Sequence, residues 1–484
     1  MSMHIGPEAP VDRLRKRSPL PAALVATLAI IALGSCASGP AKTASGKQPS
    51  AEKDAKIRAV ASAESMLEKG DAAGAAEKLG QLAAATPSDP ELKLAQAAAL
   101  VSAGKLAEAR KDVETVLAAD PKNVHALSMG AELARFDGDA KARRAYLDRA
   151  IEAAPSDASV LSAWGDYNLD QKDWPKADGF YRRAIAADPK SADAHLGLGR
   201  ALYRQEKFPE SEAELTTAIG LEPASPLAYS DRSKSRYRQG KLKEAESDLD
   251  EAVSRAPDES WLYLDRGRFR LDRKDVKGAE ADFNRAIAID PGYFLPYAYR
   301  GGLREQTGRD EEALADYRKV IELYPDYWYA FESAGTTSFR LGLWAECAAD
   351  FKQAYAADAG HYEYAIASAL ALWRSGKPKD ASAYAKSVAA GIDHEKSGIY
   401  WSMLRLIQDQ NDSSSDIELM IQGEKHLDLK STMLFYLSEY WTCRGKTELA
   451  AKYLELAADM KREGTLEYSL IEPEKKRLAT LSNG

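Results

Sequence analysis

A proline recurs every 34 residues along most of the chain, and this period constrains the fold more than any other feature. Eight prolines keep the register without a slip: Pro87, Pro121, Pro155, Pro189, Pro223, Pro257, Pro291 and Pro325. A fixed period of roughly 20–50 residues is typical of stacked supersecondary units, each of which buries its apolar face only against its neighbours. The sequence therefore predicts a repeat array between about Lys56 and Asp358.

Small residues keep the same register at three positions of each unit. The first ladder is Gly165, Gly199, Ser233, Gly267, Gly301 and Gly335; the second is Ala177, Ser211, Ala245, Ala279, Ala313 and Cys347; the third is Ala184, Ala218, Ala252, Ala286 and Ala354, interrupted by Val320. A bulky residue accompanies them in each unit: Leu147, Tyr181, Leu215, Leu249, Phe283, Tyr317 or Phe351. Small side chains let two helices approach closely, and the bulky partner fills the space beside them.

These ladders resemble the tetratricopeptide repeat family. Trp261–Gly292 makes most of one unit, with a first helix through Leu271, a turn at Asp272–Asp275 and a second helix to Ile289. Proline follows the second helix because it cannot continue it. The resemblance implies an all-α, right-handed superhelical solenoid of antiparallel helix pairs. It also implies that the first helix of each pair (helix A) lines the concave face and the second (helix B) the convex face.

The pattern divides the chain into five segments. We predict a lipoprotein signal peptide at 1–35, a disordered tether at 36–55 and a solenoid of about ten repeats at 56–395. Degenerate hairpins follow at 396–464 and a polar capping tail at 465–484, which gives eleven to twelve helical hairpins in all. Repeat arrays need terminal units with a polar outer face for solubility.

The N-terminal segment has the pattern of a secretory signal. Arg13, Arg15, Lys16 and Arg17 precede an apolar run from Leu20 to Leu33, which is shorter than the roughly 20 residues that span a bilayer. Leu33-Gly34-Ser35-Cys36 resembles a bacterial lipobox, which implies lipidation of Cys36. An ordinary signal peptide or an uncleaved anchor is the alternative.

The lipobox resemblance implies a lipid-anchored protein of the bacterial cell envelope. Ala37, rather than aspartate, follows Cys36, and by resemblance to enteric lipoproteins this favours the outer membrane, on its periplasmic or surface face. The Ala-, Ser-, Gly- and Pro-rich stretch from Ala37 to Lys53 has too little apolar surface to fold and is predicted to be a flexible tether.

Charge and cysteine content exclude two further possibilities. The net charge of −8 argues against nucleic acid as the main partner. Of the three cysteines, only Cys347 and Cys443 lie outside the signal region, about three units apart. Units that contact only near neighbours keep these two thiols beyond disulfide reach, so we predict that both are free.

Two charged ladders follow the same period. Arg232, Arg266 and Arg300 each stand sixteen residues before an aspartate, namely Asp248, Asp282 and Asp316. These positions can meet across the interface between helix A and helix B, and we interpret them as repeated structural ion pairs, which are by themselves weak evidence of stability.

The second ladder falls on helix A and is predicted to face the groove. Its members, together with aromatic neighbours, are Arg200, Tyr203, Arg204, Lys234, Tyr237, Arg238, Arg268, Arg340, Trp373 and Arg374. Arginine and aromatic rings suit recognition of an extended, partly acidic peptide. A solvated helix face is the alternative. Asp231 and Asp265 stand where carboxylate-clamping repeats carry donors, so binding of a chain terminus is not expected.

Aromatic residues concentrate around the later repeat junctions. They are Tyr293, Phe294, Tyr297, Tyr299, Tyr324, Tyr327, Trp328, Tyr329 and Phe331. We expect them to seal the junctions as core, and the alternative is a platform for carbohydrate or peptide.

No convergent catalytic set is present in the sequence. The six histidines form no H-E-x-x-H or other i, i+4 ligand pair, and no phosphate-binding or nucleophile motif occurs. We therefore predict no enzyme activity, no metal and no cofactor, although dispersed catalytic residues would leave no local motif. By resemblance to secreted lipoproteins with such repeats, the predicted function is a scaffold for protein or peptide partners in assembly of an envelope complex. Examples are pilus or secretin biogenesis, outer-membrane protein insertion and recruitment of peptidoglycan-cleaving enzymes. A module that binds glycan or peptidoglycan fragments is the alternative.

Overall fold

The protein consists of short helices joined by tight turns. A computed structural model describes residues 51–482, with side chains described for 58–67 and 69–480. In this part of the chain every regular element is an α-helix. The helices fall into two compact units, here called the N-terminal unit (to Arg255) and the C-terminal unit (from Ala256).

The N-terminal unit contains twelve helices. They are α1 (Ala51–Glu68), α2 (Ala72–Ala85), α3 (Pro90–Ser102), α4 (Leu106–Ala119), α5 (Val124–Asp137), α6 (Ala140–Ala153), α7 (Ala158–Asp170), α8 (Trp174–Ala187), α9 (Ala192–Arg204), α10 (Phe208–Leu221), α11 (Pro226–Arg238) and α12 (Leu242–Arg255). Odd-numbered helices are helix A of each pair, and even-numbered helices are helix B.

The C-terminal unit contains thirteen helices within the described residues. They are α13 (Ser260–Asp272), α14 (Val276–Ile289), α15 (Phe294–Gln306), α16 (Asp310–Leu323), α17 (Tyr329–Leu341), α18 (Trp344–Ala357), α19 (Tyr362–Arg374), α20 (Pro378–Ala389), α21 (His394–Asp409), α22 (Ser415–Gly423), α23 (Leu427–Cys443), α24 (Thr447–Asp459) and α25 (Tyr468–Ser482).

Each helix A packs against its own helix B, and within each unit each helix B packs against the helix that follows it, which confirms the predicted all-α fold of stacked helix pairs. Residues 51–482 form twelve hairpins followed by the single helix α25, in line with the eleven to twelve expected. The handedness of the superhelix stays a prediction.

The turn inside each hairpin has a left-handed residue at a fixed position of the repeat. Glycine occupies it in most units, including Gly70 and Gly104, with φ of 82° and 74°. Lys172, Glu206 and Lys274 occupy the same position with φ of 60–63°. Glycine adopts this conformation without steric penalty, whereas a side chain makes it costlier. In line with this 34-residue spacing, helices α2 to α20 are all 12–14 residues long.

The first small-residue ladder marks the closest approach of helices, as predicted. Tyr181 on α8 lies between Gly165 on α7 and Gly197 on α9, and a methyl group at either glycine would overlap the Tyr181 ring. The Tyr181 hydroxyl donates to Asp166 Oδ1 at 2.6 Å. One aromatic side chain therefore fixes the spacing both within one hairpin and to the next.

The predicted ion-pair ladder is present. Arg232 Nη2 lies 2.7 Å from Asp248 Oδ1, and the corresponding distances are 2.7 Å for Arg266–Asp282 and 2.6 Å for Arg300–Asp316. The three aspartates are almost completely buried. Hydrogen bonds offset part of the free-energy cost of desolvating these carboxylates, since each carboxylate accepts from more than one nitrogen.

A second arginine, one helical turn later, completes each of these carboxylates. Arg236, Arg270 and Arg304 donate to the same three aspartates at 2.9, 2.7 and 2.8 Å. The sequence interpretation assigned one arginine to each aspartate and missed this second row. In three repeats, two guanidinium groups on consecutive turns of helix A therefore donate hydrogen bonds to one carboxylate of helix B.

The predicted ends of the array differ from the structure on both sides. Helix α1 begins at Ala51, whereas the tether was predicted to extend to residue 55; the signal peptide, Cys36 and residues 36–50 of the tether lie outside the described residues. At the other end, the segment predicted as a polar tail forms α25, which packs against α24, α23 and α17.

Helix α25 is held by apolar contacts and by buried charge. Leu470, Ile471 and Leu478 are buried. Glu474 is fully buried. The cost of burying its carboxylate is offset because it accepts from Arg374 Nη1 at 2.6 Å and from Arg477 Nη1 at 2.9 Å. The charged run that suggested a solvated tail thus has its carboxylate paired inside the unit.

Glu439 on α23 completes this buried cluster. Its Oε2 accepts from the same Arg374 Nη1 at 2.7 Å. Burial, together with the negative charge of Glu474, raises the pKa of Glu439 to about 8. The C-terminal unit therefore contains two carboxyl groups that share a guanidinium group out of contact with water.

Both described cysteines are free, as predicted. Cys347 occupies its small-residue position fully buried, and Cys443 Sγ lies 3.8 Å from the carbonyl oxygen of Leu370. Burial raises the pKa of both thiols. The two residues are thus packing residues of the C-terminal unit.

The Tyr181 contact predicts opposite effects for two glycines of neighbouring helices. Gly197→Ala should destabilise the protein by about 1–3 kcal/mol, because the added methyl overpacks against Tyr181. Gly179→Ala, where nothing lies within 4 Å, should stabilise it by about 0.5–1 kcal/mol through helix propensity. Denaturant unfolding of the full chain measures both; equal effects would contradict the proposed role of the Gly197 contact.

Glu439 predicts a pH dependence of the C-terminal unit. A carboxyl whose pKa is raised by folding keeps its proton in the folded state while the unfolded chain loses it, so stability falls as pH rises from about 4.5 towards 8. Glu439→Gln should flatten this fall, whose slope is at most about 1.4 kcal/mol per pH unit.

Hydrogen exchange of α23 amides between pH 5 and 8.5, corrected for the intrinsic exchange rate, measures the effect. Glu455→Gln is the matched control, since Glu455 is exposed and pairs only with Lys475 among the contacts described. A slope that is unchanged by Glu439→Gln would show that another group titrates.

Candidate partner-binding surface

Two consecutive A helices of the N-terminal unit present the predicted groove residues on one face. Residues 200, 203 and 204 of α9 and residues 234, 237 and 238 of α11 have i, i+3, i+4 spacing, which places each triplet on one side of its helix. Helices α9 and α11 are in contact. The 34-residue register therefore places Tyr203 and Arg204 beside Tyr237 and Arg238.

The inner positions of this face are engaged within the protein. Arg200 Nε lies 2.5 Å from Asp231 Oδ2, and Lys234 Nζ lies 3.3 Å from Asp231 Oδ1. Asp231 thus neutralises much of the positive charge predicted for binding. Arg200 Nη2 is buried and has no hydrogen-bond partner among the described residues.

The outer positions are more open to solvent. Arg204 and Arg238 are exposed, and 37% of Tyr237 is accessible. The guanidinium carbon of Arg238 lies 4.5 Å from the ring centre of Phe208, and that of Arg204 lies 5.9 Å from the ring of Trp174. Tyr203 meets Phe208 edge to face at 5.5 Å.

Stacking gives these cations a defined direction. A guanidinium group that lies over a ring loses less conformational freedom when it binds a carboxylate, because its plane is already oriented. We call Tyr203, Arg204, Tyr237 and Arg238, with Trp174 and Phe208 beneath them, the aromatic–arginine surface. It offers planar donors for carboxylates and ring edges for apolar side chains.

Acidic residues occupy the same register one and two repeats earlier, and the sequence interpretation missed them. Glu132 on α5 and Asp166 on α7 precede Arg200 at intervals of 34 residues, and Asp170 precedes Arg204 in the same way. Glu132 pairs with Arg135 at 2.8 Å. At these repeat positions the A helices of the N-terminal unit therefore change from acidic to basic along the chain. The signal for this change was the 34-residue spacing in the sequence.

Arg268 of the C-terminal unit stacks on an aromatic ring. Its guanidinium carbon lies 5.2 Å from the ring centre of Tyr299 on the next helix A. This contact engages the Arg268 side chain within its own unit.

Three further predicted residues are covered by the chain itself. Arg340 pairs with Glu305 and Asp310 at 3.0 and 2.9 Å, and its side chain is almost buried. Arg374 is bound to Glu439 and Glu474, and Trp373 packs edge to face against Tyr440 on α23 at 5.6 Å. The structure therefore places these residues inside the C-terminal unit rather than on an open groove, because α23 and α25 lie against them.

The aromatic junctions behave mostly as core. Phe294 is buried and stacks on Tyr324 at 4.8 Å, and Tyr327 is buried beside Phe294 at 5.1 Å. Trp328 and Tyr329 are half-buried and stack on each other at 3.8 Å. Most of these rings thus lack the open face that a sugar would need for stacking.

No cluster of three or more His, Cys, Asp or Glu side chains within 58–480 is arranged to hold a metal ion. None of the helices between residues 51 and 482 combines the length and apolar character needed to cross a membrane.

Family models of the tetratricopeptide repeat match most of the array. One matches residues 60–124, 94–158, 128–192, 162–226 and 230–294, and a second matches residues 300–327. Together they span more than half of the chain. No curated protein matches the sequence.

Solved structures of similar fold include other tetratricopeptide repeat proteins. One from Parabacteroides merdae is 19% identical, with a TM-score of 0.41, and the match covers 52% of this chain and 99% of that one. PilW, a widely conserved type IV pilus biogenesis factor, is 19% identical with a TM-score of 0.38, over 42% and 94% of the two chains. YrrB, which has an unusual peptide-binding site, is 20% identical with a TM-score of 0.30, over 38% and 95%.

Proposed function

Because the chain belongs to the tetratricopeptide repeat family, we propose that it is a non-catalytic scaffold that holds a protein or peptide partner on the aromatic–arginine surface. Proteins of this family are generally scaffolds that bind partners along the face of stacked A helices. One observation carries the assignment to this particular surface. Arg204, Tyr237 and Arg238 are exposed, whereas the residues at the same repeat position of α17 and α19 are covered by the chain itself.

The chemistry of the surface favours a partner segment with carboxylates and apolar side chains. Arg204 and Arg238 offer fork-shaped donors that match a carboxylate. The rings of Tyr203, Tyr237 and Phe208 offer apolar contact at low cost in conformational entropy. Asp170 pairs with Arg143 but keeps 45% of its side chain exposed, and it would bind a basic side chain of the same segment, which would fix the direction of that segment along the array.

We further propose that this scaffold acts at the bacterial cell envelope as a lipoprotein anchored through Cys36. The support is the sequence pattern of basic residues, a 14-residue apolar run and Leu33-Gly34-Ser35-Cys36. The outer membrane is the proposed location, and assembly of an envelope complex is the proposed role. Mass spectrometry of the mature N-terminus tests the anchor: a diacylated Cys36 supports it, whereas an unmodified Cys36 or a retained leader opposes it.

Charge reversal of the two exposed arginines tests the binding surface. Arg204→Glu with Arg238→Glu should reduce recovery of a crosslinked partner from native membranes at least about tenfold, equivalent to 1.4 kcal/mol. The physical reason is that each substitution replaces a donor for carboxylate by a like charge. Quantitative mass spectrometry of the partner measures the loss, with circular dichroism as a check on folding.

The matched control reverses two exposed lysines elsewhere in the same unit. Lys190→Glu with Lys243→Glu changes the net charge equally but lies outside the surface. Partner recovery should equal that of the wild type. An equal loss in both double variants would mean that net charge alone matters, and no loss in either would exclude this surface.

A further inference from the structure

The same two-residue combination stands at one repeat position in the last turn of four A helices. An aromatic residue followed by arginine stands at Tyr203-Arg204, Tyr237-Arg238, Phe339-Arg340 and Trp373-Arg374. All four lie in one repeat register, since Arg204, Arg238, Arg340 and Arg374 are separated by multiples of 34 residues. The first two combinations are open to solvent, and the last two are covered by α23 and α25.

Helix α25 shows how this combination binds a helix. Arg477 lies over the Phe339 ring at 5.5 Å and donates from Nη2 to the carbonyl oxygens of Phe339, at 2.7 Å, and of Arg340. These carbonyls belong to the last turn of α17, whose partial negative charge attracts a cation. The arginine of the covering helix therefore binds the end of helix A beside the aromatic ring.

A glutamate of the same helix binds the next combination along the array. Glu474 Oε1 accepts from Arg374 Nη1 at 2.6 Å, and its other oxygen accepts from Arg477 at 2.9 Å. Glu474 and Arg477 are three residues apart and therefore lie on one face of α25. Helix α25 thus places a carboxylate against Arg374 of α19 and a guanidinium group against the C-terminal end of the preceding helix A, α17.

Apolar residues flank these two charges on α25. Leu470, Ile471 and Leu478 are buried, at spacings that continue the face of Glu474 and Arg477. The occupant of this part of the C-terminal unit is an amphipathic helix whose apolar face contains one Glu and one Arg. Glu474 is fully buried there, which requires its carboxylate to be paired, and the Arg477 side chain is 22% exposed.

We propose that the aromatic–arginine surface of the N-terminal unit binds a partner helix with the face of α25: apolar residues around a glutamate and an arginine three positions later. The proposal rests on the proposed scaffold function and specifies its ligand. The glutamate would meet Arg204 or Arg238, and the arginine would lie against the end of the adjacent helix A beside Tyr203 or Tyr237.

The helix that binds the aromatic–arginine surface belongs to a different protein, not to a second copy of this chain. The matching face of α25 is buried in its own unit, so a second copy of this chain could offer it only after unfolding that helix. A partner protein with an exposed amphipathic helix pays no such cost. The helix-in-groove mode, with anchors at i, i+3, i+4 and i+7, fits this arrangement.

The test uses a fluorescent peptide of residues 465–482 and the full-length protein. Fluorescence anisotropy should show saturable binding of the peptide. Arg204→Glu with Arg238→Glu should weaken it at least tenfold, whereas Lys190→Glu with Lys243→Glu should leave it unchanged. A peptide in which Glu474→Lys removes the carboxylate should bind the wild-type protein at least tenfold more weakly.

Two outcomes would overturn the proposal. The first is absence of binding. The second is binding that ignores the reversal of Arg204 and Arg238, which would mean that the peptide exchanges with α25 in the C-terminal unit. If either occurs while partner recovery still depends on Arg204 and Arg238, the scaffold function stands and only the helical ligand is wrong. If partner recovery is also independent of them, both proposals are wrong.

Discussion

The fold depends on how closely helix A and helix B can approach at the small residues of each repeat. Tyr181 fills the space between Gly165 and Gly197 so tightly that a methyl group added at either position would overlap its ring unless the ring shifted. The same relation recurs between Gly267 and Phe283 and between Gly199 and Leu215. Because Tyr181 touches both the helix before it and the helix after it, it sets the spacing of its own hairpin and that to the next. The array is therefore built from local contacts repeated along the chain.

This locality explains how much of the fold could be predicted. The proline and small-residue ladders predicted the helix pairs, and the interval between Arg232 and Asp248 predicted an ion pair that the structure contains. The contact of Arg236 with the same aspartate was missed although it is local. Its signal was the arginine one turn later on helix A, which recurs as Arg270 and Arg304.

The position of α25 could not be predicted in this way. Arg477 contacts the carbonyls of Phe339 and Arg340 across more than a hundred residues of sequence, and no periodicity relates these positions. The charged run Glu474–Arg477 is polar in composition, so it indicated a solvated tail. In the folded chain the Glu474 carboxylate is paired with Arg374. Composition alone therefore does not distinguish a solvated charge from one that is paired inside the protein.

The candidate site was predictable in kind but not in extent. The 34-residue register correctly placed the selected residues on A helices, yet it treated all aromatic and arginine residues there as equally open. Arg200 and Lys234 share Asp231, and Arg340 and Arg374 are enclosed by acids of their own unit. Among the predicted groove residues, only Arg204 of α9 and Arg238 of α11 are exposed cations that lie over aromatic rings. The function that we propose follows from this difference between open and covered copies of one sequence pattern.

Hydroxyl-radical footprinting of the full-length protein tests this difference most directly. The rates of side-chain oxidation at Tyr237 and Phe339 are measured by mass spectrometry, each divided by its rate in the unfolded chain. The structure, with exposures of 37% and 6%, predicts that Tyr237 is oxidised several times faster than Phe339 on this scale. Equal normalised rates, or faster oxidation of Phe339, would contradict the account. In that case α25 would leave the end of α17 as open to solvent as the aromatic–arginine surface.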